Sequence, residues 1–134
     1  KRGAERLFQV EENEIGVRVM GKKDNPNILL FEASEGSLGI LSQLIQEPQK
    51  LKELFIESYR CMHFDPLTLE ETDLGKTLPK ASYQDLLSYY NQRDHETLDR
   101  HQIKDALEEL MECDLSTVQG GNDRSKQYNF LLEN

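Results

Sequence analysis

The sequence predicts an α+β fold: a small antiparallel β-hairpin packed against about four helices. Three observations predict it. Glu14 to Met20 alternates apolar and polar residues, the period of a strand. Turn chemistry follows, and then the apolar run Ile28-Leu29-Leu30-Phe31. Elsewhere apolar residues recur at three- and four-residue spacing, the period of a helix with one buried face.

The elements follow in order. Arg2 to Glu11 reads as a helix with Ala4, Leu7 and Phe8 on one side. The first strand comes next, and Lys22, Lys23, Asp24, Asn25 and Pro26 turn the chain into the second. Glu32 to Ser37 opens a helix whose apolar stripe is Leu38, Ile40, Leu41, Leu44 and Ile45, and Pro48 stops it. Leu51 to Met62 is a further helix. Asp65 to Lys80, with Pro66 and Pro79 and no period, reads as a long loop. Tyr83 to Tyr90 reads as the third helix after the hairpin. A fourth begins near Asp99, with Ile103, Ala106, Leu107, Leu110 and Met111 on its apolar face. Residues 1–115 make the expected domain. Residues 116–134, with the turn signal Gly120-Gly121-Asn122-Asp123, make an expected closing hairpin or linker.

Composition narrows the function. With 134 residues the chain holds one core, and it opens at Lys1 inside an amphipathic pattern, as a segment of a longer protein would. No apolar run is long enough to cross a bilayer and no secretory leader is expected, so a cytoplasmic setting without a membrane partner is the expectation. Cys61 and Cys113 lack the spacing of a disulfide framework or a four-thiolate zinc site. Net charge is −9, with 25 acidic against 16 basic residues. Asp105 to Asn134 is strongly acidic, whereas Lys1 to Phe31 is nearly balanced. Such a chain cannot grip nucleic acid over its whole surface, but it allows a local contact or a protein partner.

Catalytic motifs are weak. Gly75-Lys76-Thr77 lacks the earlier glycine of a phosphate loop, since Glu70 stands there. Gly36 and Gly39 sit at a helix start, but Glu32 and Glu35 repel phosphate and suit capping of the helix dipole. His95 and His101 are six residues apart, which does not place two metal ligands on one helix face. A magnesium nuclease built on Glu12, Glu14, Glu32 and Glu35 lacks a well-placed lysine. Cys61 reads as a buried thiol.

The segment Ser88 to His95 is the densest in recognition chemistry, with two tyrosines, two amides, an arginine and a histidine. Tyrosines here either pack in a core or stack on bases. The candidate nucleic-acid-binding residues are Tyr90, Asn91, Gln92, Arg93, Arg100 and Lys104. The polar ones either bridge helices or face a strand.

These residues also carry a resemblance. Phe8 to Gly16, Ile28 to Leu41, His63 to Pro66 and Leu86 to His101 resemble, in order, the domain of unknown function found C-terminal to bacterial DEAD/DEAH-type helicase cores. A similar variant belongs to helicase-related subunits of DISARM-like phage-defence systems. The resemblance spans roughly Leu7 to Leu110. It implies a non-catalytic accessory module, with ATP hydrolysis elsewhere in a larger protein. DNA, single-stranded DNA included, a helicase core or a defence-system subunit would be its partners. A protein-docking module without DNA contact is the alternative. Most members hold zinc with four cysteines, but the corresponding places here are Met62, Leu78, Ser82 and Asp85, with Cys61 one residue off. No metal and no other cofactor is therefore expected.

Overall fold

Gly3 brings two helices into close contact: a methyl group added there would sit 2.0 Å from the Ser58 hydroxyl and 2.9 Å from its Cα. The helices are α1 (Arg2–Phe8) and α3 (Pro48–Cys61). The computed structural model describes residues 1–33 and 39–114. Between α1 and α3 lie the strands β1 (Ile15–Lys22) and β2 (Asn25–Glu32) and the helix α2 (Ile40–Gln46). After α3 come α4 (Asp73–Thr77), two 3-10 segments (Tyr89–Asp94 and Arg100–Ile103) and α5 (Lys104–Glu112). The fold is α+β.

The strands pair antiparallel from Ile15↔Glu32 to Lys22↔Asn25, so Lys23-Asp24 alone makes the turn. This is tighter than the sequence suggests, because Pro26 lies within β2, opposite Gly21 one rung before the end of the ladder. Only the base of the hairpin meets the core: Ile15 is buried, whereas Val19 and Ile28 are about three-quarters exposed.

α3 divides the core in two. Leu54, with Leu51 beside it, packs with Ala4, Ile15 and Leu44. Tyr59, Cys61 and Met62 pack on the other side with Phe64, Leu107 and Met111. The Tyr59 hydroxyl donates to Glu108 across this interface at 2.6 Å. Burial, and then that carboxylate, push the phenol well above its usual range.

Pro48 both ends α2 and occupies the first turn of α3, where its missing N–H has no cost. Glu32 caps α2 across the intervening segment, its Oε1 accepting from Ile40 N at 2.6 Å and Leu41 N at 3.3 Å. Ile45 is exposed despite its place in the apolar stripe. Of the apolar face expected over Ile103 to Met111, only Leu107 and Met111 are buried; Ile103, which ends the preceding 3-10 segment, Ala106 and Leu110 are exposed.

Two elements differ from expectation. The Asp65–Lys80 loop contains α4, with Thr72 as N-cap accepting from Gly75 N at 3.1 Å. Five residues with a glycine in the middle give no readable period. The helix expected over Tyr83–Tyr90 is absent, for reasons that lie in its side chains. Residues 116–134 lie outside the described residues, as do Leu38 and most of the Glu32–Ser37 helix opening.

Candidate nucleic-acid interface

Asp85 breaks the helical reading of its segment. It is fully buried. Its Oδ1 accepts from Ser82 N at 2.7 Å and Leu86 N at 2.6 Å. Its Oδ2 accepts the Ser82 hydroxyl at 2.7 Å and lies 3.2 Å from His63 Nε2. Short polar side chains that bind nearby amides compete with helix formation, and here they win. Burial drives the carboxyl pKa up. The Ser82 hydroxyl and amide, Leu86 N–H and His63 outweigh it, so Asp85 sits below its usual range and is ionised at neutral pH.

Ser88 then starts the 3-10 segment, its hydroxyl accepting from Tyr90 N at 3.2 Å. Asn91 closes the loop behind it. Its Oδ1 accepts from Ser88 N at 2.8 Å and its Nδ2 donates to Leu86 O at 2.8 Å. His95 Nε2 lies 2.9 Å from Asn91 Oδ1 and 3.0 Å from Ser88 O, so Nε2 carries a proton. The His95 ring meets Tyr83 edge-on at 5.7 Å.

The outcome is a polar-braced loop that turns its tyrosines outward. Tyr89 and Tyr90 are each 76% exposed and Tyr83 is 65% exposed. Tyr89 and Tyr90 meet edge-to-face at 5.7 Å. Gln92 and Arg93 are exposed beside them. The core reading of the two tyrosines is thus set aside.

Three of the six sequence candidates are placed differently. Asn91 has both ends of its amide engaged within the loop, so it is scaffold. Arg100 is 1% exposed and cannot meet a strand. It donates to Pro79 O, to Glu71 and, at 2.7 Å, to Gly75 O. Lys104 is half-buried, bound to Glu108 at 2.5 Å and lying over the Phe64 ring. Tyr90, Gln92 and Arg93 remain together at the surface. Tyr83 is exposed as well, against the His95 ring, which sequence reasoning missed because a helix was read there.

The other candidates resolve one by one. Met62 packs in the core and Leu78 is half-buried, while Ser82 and Asp85 hold each other and His63. These four positions do not fit a zinc ion: only Asp85 ionises, and both its oxygens are engaged. Among the described residues no three histidine, cysteine or acidic side chains are grouped to hold a metal. His101 lies between Asp99 and Glu71. Glu14 accepts from Glu11 N, and Glu12 pairs with Arg2 at 3.8 Å, so with Glu32 as a cap the carboxylates are dispersed. Glu35 lies outside the described residues. Gly75-Lys76-Thr77 belongs to α4, with Gly75 buried.

An open cleft of about 770 Å³ is walled by α1, the C-terminal end of α3, the start of α4 and Gln84. Arg2, Arg6 and Arg60 line it. Arg2 also donates to Leu87 O at 3.0 Å, tying α1 to the chain that enters Ser88. Arg2 and Arg6 fall four apart on α1, a legible spacing, but nothing in the sequence announces Arg60 beside them. Among the described residues no helix is long and apolar enough to cross a membrane. Comparisons with protein-family models, with curated proteins and with solved structures find no match to this chain.

Proposed function

We propose that this domain is a non-catalytic nucleic-acid-binding module that holds single-stranded DNA for a larger ATP-dependent, helicase-like protein. The observation that carries the reading is the outward display of Tyr89 and Tyr90 on a loop braced by Asp85, Asn91 and His95. Exposing two large rings on a braced backbone has no packing benefit, whereas bases stack on such rings whatever their sequence. Gln92 and Arg93 add a hydrogen-bonding amide and a phosphate-gripping cation beside them. The resemblance to helicase-associated domains supports the accessory role.

The test is fluorescence anisotropy of labelled oligothymidine at low salt, with wild type and a Tyr89→Ala/Tyr90→Ala variant. Stacking contributes about 1–3 kcal/mol per base, so the variant is expected to bind at least tenfold more weakly. Absence of wild-type binding at low salt, or equal binding by both proteins, overturns the reading. The net charge of −9 and the exposed Leu67 and Leu74 favour a second reading, a docking surface for a protein subunit. That reading becomes first if DNA binding fails.

A further inference from the structure

The cleft between α1 and the end of α3 gathers three arginines in an acidic chain. Arg2, Arg6 and Arg60 face it, and Glu5 is the carboxylate in its lining. Glu5 is itself buried, and its oxygens turn to Lys1 at 3.5 Å and Arg2 at 3.6 Å. Arg6 has no carboxylate within ion-pairing distance among the described residues; its contact is the Cys61 sulfur at 3.8 Å. Arg60 pairs with Glu57 at 3.5 Å on the open surface, where such a pair is weak. Arg2 also meets Glu12 at 3.8 Å.

Hydrogen-bond capacity is the second observation. Each guanidinium carries five N–H donors. Among the described residues these three arginines make two hydrogen bonds, Arg2 to Leu87 O and Arg6 to Cys61 Sγ. Burial pushes the Cys61 thiol up despite Arg6, so the sulfur is neutral at pH 7, and the carboxylate that acts on Arg6 is Glu57, which also pairs with Arg60. Gln84 and Thr72 line the same cleft with an amide and a hydroxyl. Arg6 and Arg60 are exposed, so their free N–H groups are open to an incoming anion, and phosphate takes arginine forks two oxygens at a time.

We infer that the cleft formed by Arg2, Arg6 and Arg60 is a phosphate-binding site. Its natural ligand, resting on the function proposed above, is a phosphate of the strand whose bases stack on Tyr89 and Tyr90. Arg2 links the two sites physically, since its guanidinium both lines the cleft and holds Leu87, two residues before Tyr89.

Inorganic pyrophosphate tests the cleft without reference to DNA. In an NMR titration of the wild-type protein, shifts are expected at Arg2, Arg6, Arg60 and Gln84. Binding should be lost in Arg6→Ala/Arg60→Ala and kept in Tyr89→Ala/Tyr90→Ala. With oligothymidine, the same arginine pair should reduce the salt slope of binding by between about one and two units. Arg93→Ala, outside the cleft, should leave pyrophosphate binding intact. Pyrophosphate shifts without DNA binding would keep the cleft and reject the strand as its source. DNA binding with an unchanged salt slope in the arginine pair, and no pyrophosphate shifts in the cleft, overturns this inference and leaves the tyrosine site standing.

Discussion

Arg100 reaches from the start of its 3-10 segment to the carbonyl of Gly75, 2.7 Å away in the middle of α4. The same guanidinium holds Glu71 and Pro79 O, so one side chain ties together the whole stretch between α3 and α5. Its Nε is buried without a hydrogen-bond partner among the described residues, which makes the remaining bonds matter more.

Replacing Arg100 should therefore be severe. Arg100→Ala takes the donor from Pro79 O and breaks the pair with Glu71, leaving Glu71 with His101 and Gly75 O with Leu78 N–H; losing a partner from a buried pair costs up to about 3–5 kcal/mol. Arg100→Lys should recover little, because an ammonium cannot copy the planar fork. Urea denaturation measures both. A change within about 0.5 kcal/mol of wild type, the range of ordinary surface substitutions, would show that Arg100 is not a brace.

Gly75 has its own constraint. A methyl group there would lie 2.8 Å from Glu71 Cγ, 2.9 Å from His63 Cβ and 3.0 Å from the His63 carbonyl. Overpacking of this kind costs about 1–3 kcal/mol, so Gly75→Ala should melt several degrees lower. Lys76→Ala, on the exposed side of α4, should melt with the wild type. If Gly75→Ala does too, the contact of α4 with His63 is looser than described.

Acid should unfold the domain through its braced carboxylates. Asp85 is held low because the Ser82 and Leu86 donors and His63 outweigh burial; Glu71 is held low because His101 and Arg100 do the same. A depressed carboxyl pKa stabilises the fold above the unfolded-state value, about 4. That stabilisation is lost as pH falls from about 4 through the lower folded-state values. Melting temperature should fall steeply in that window. Asp85→Asn should lower the plateau and flatten the slope. An Asp85→Asn profile parallel to wild type would remove Asp85 from the account.

Tyrosines and scaffold should separate in a melting experiment. Tyr89→Ala/Tyr90→Ala should melt with the wild type, since both rings are mostly exposed. Asn91→Ala should lose about 1–3 kcal/mol by stranding Ser88 N–H and Leu86 O. The reverse order would make the tyrosines core residues after all.

Metal removal should do nothing to the fold. Met62 and Leu78 offer no ligand atom of the kind zinc takes, and Asp85 is already engaged. A chelator should leave the melting curve unchanged. One tightly held zinc per chain would overturn this.

The hairpin and the long helices were legible because their periods are carried by many residues at once. Ile15, Leu44, Leu54 and Leu107 announce their burial through neighbours at regular spacing. The candidate site was half legible. Recognition chemistry at Ser88–His95 shows in the residue types, but which members face outward depends on Asp85, His63 and Arg2, up to 85 residues away. Arg100 misleads for the same reason. A lone arginine reads as a surface cation until its partners Glu71, Gly75 and Pro79 are brought around it by the fold.

The hairpin is a zipper fixed at one end. Its ladder of eight pairs runs about 27 Å at ~3.4 Å per residue. The fixed end holds Ile15 in the core, while the Val19–Ile28 rung stands in solvent. Opening can start at Lys23-Asp24 and travel several rungs without disturbing any buried side chain. Ladder-bonded amides alternate along β1, and among them exchange should slow from Lys22, beside the turn, to Gly16, beside the buried Ile15, so that a single strand reports both local fraying and the stability of its fixed end.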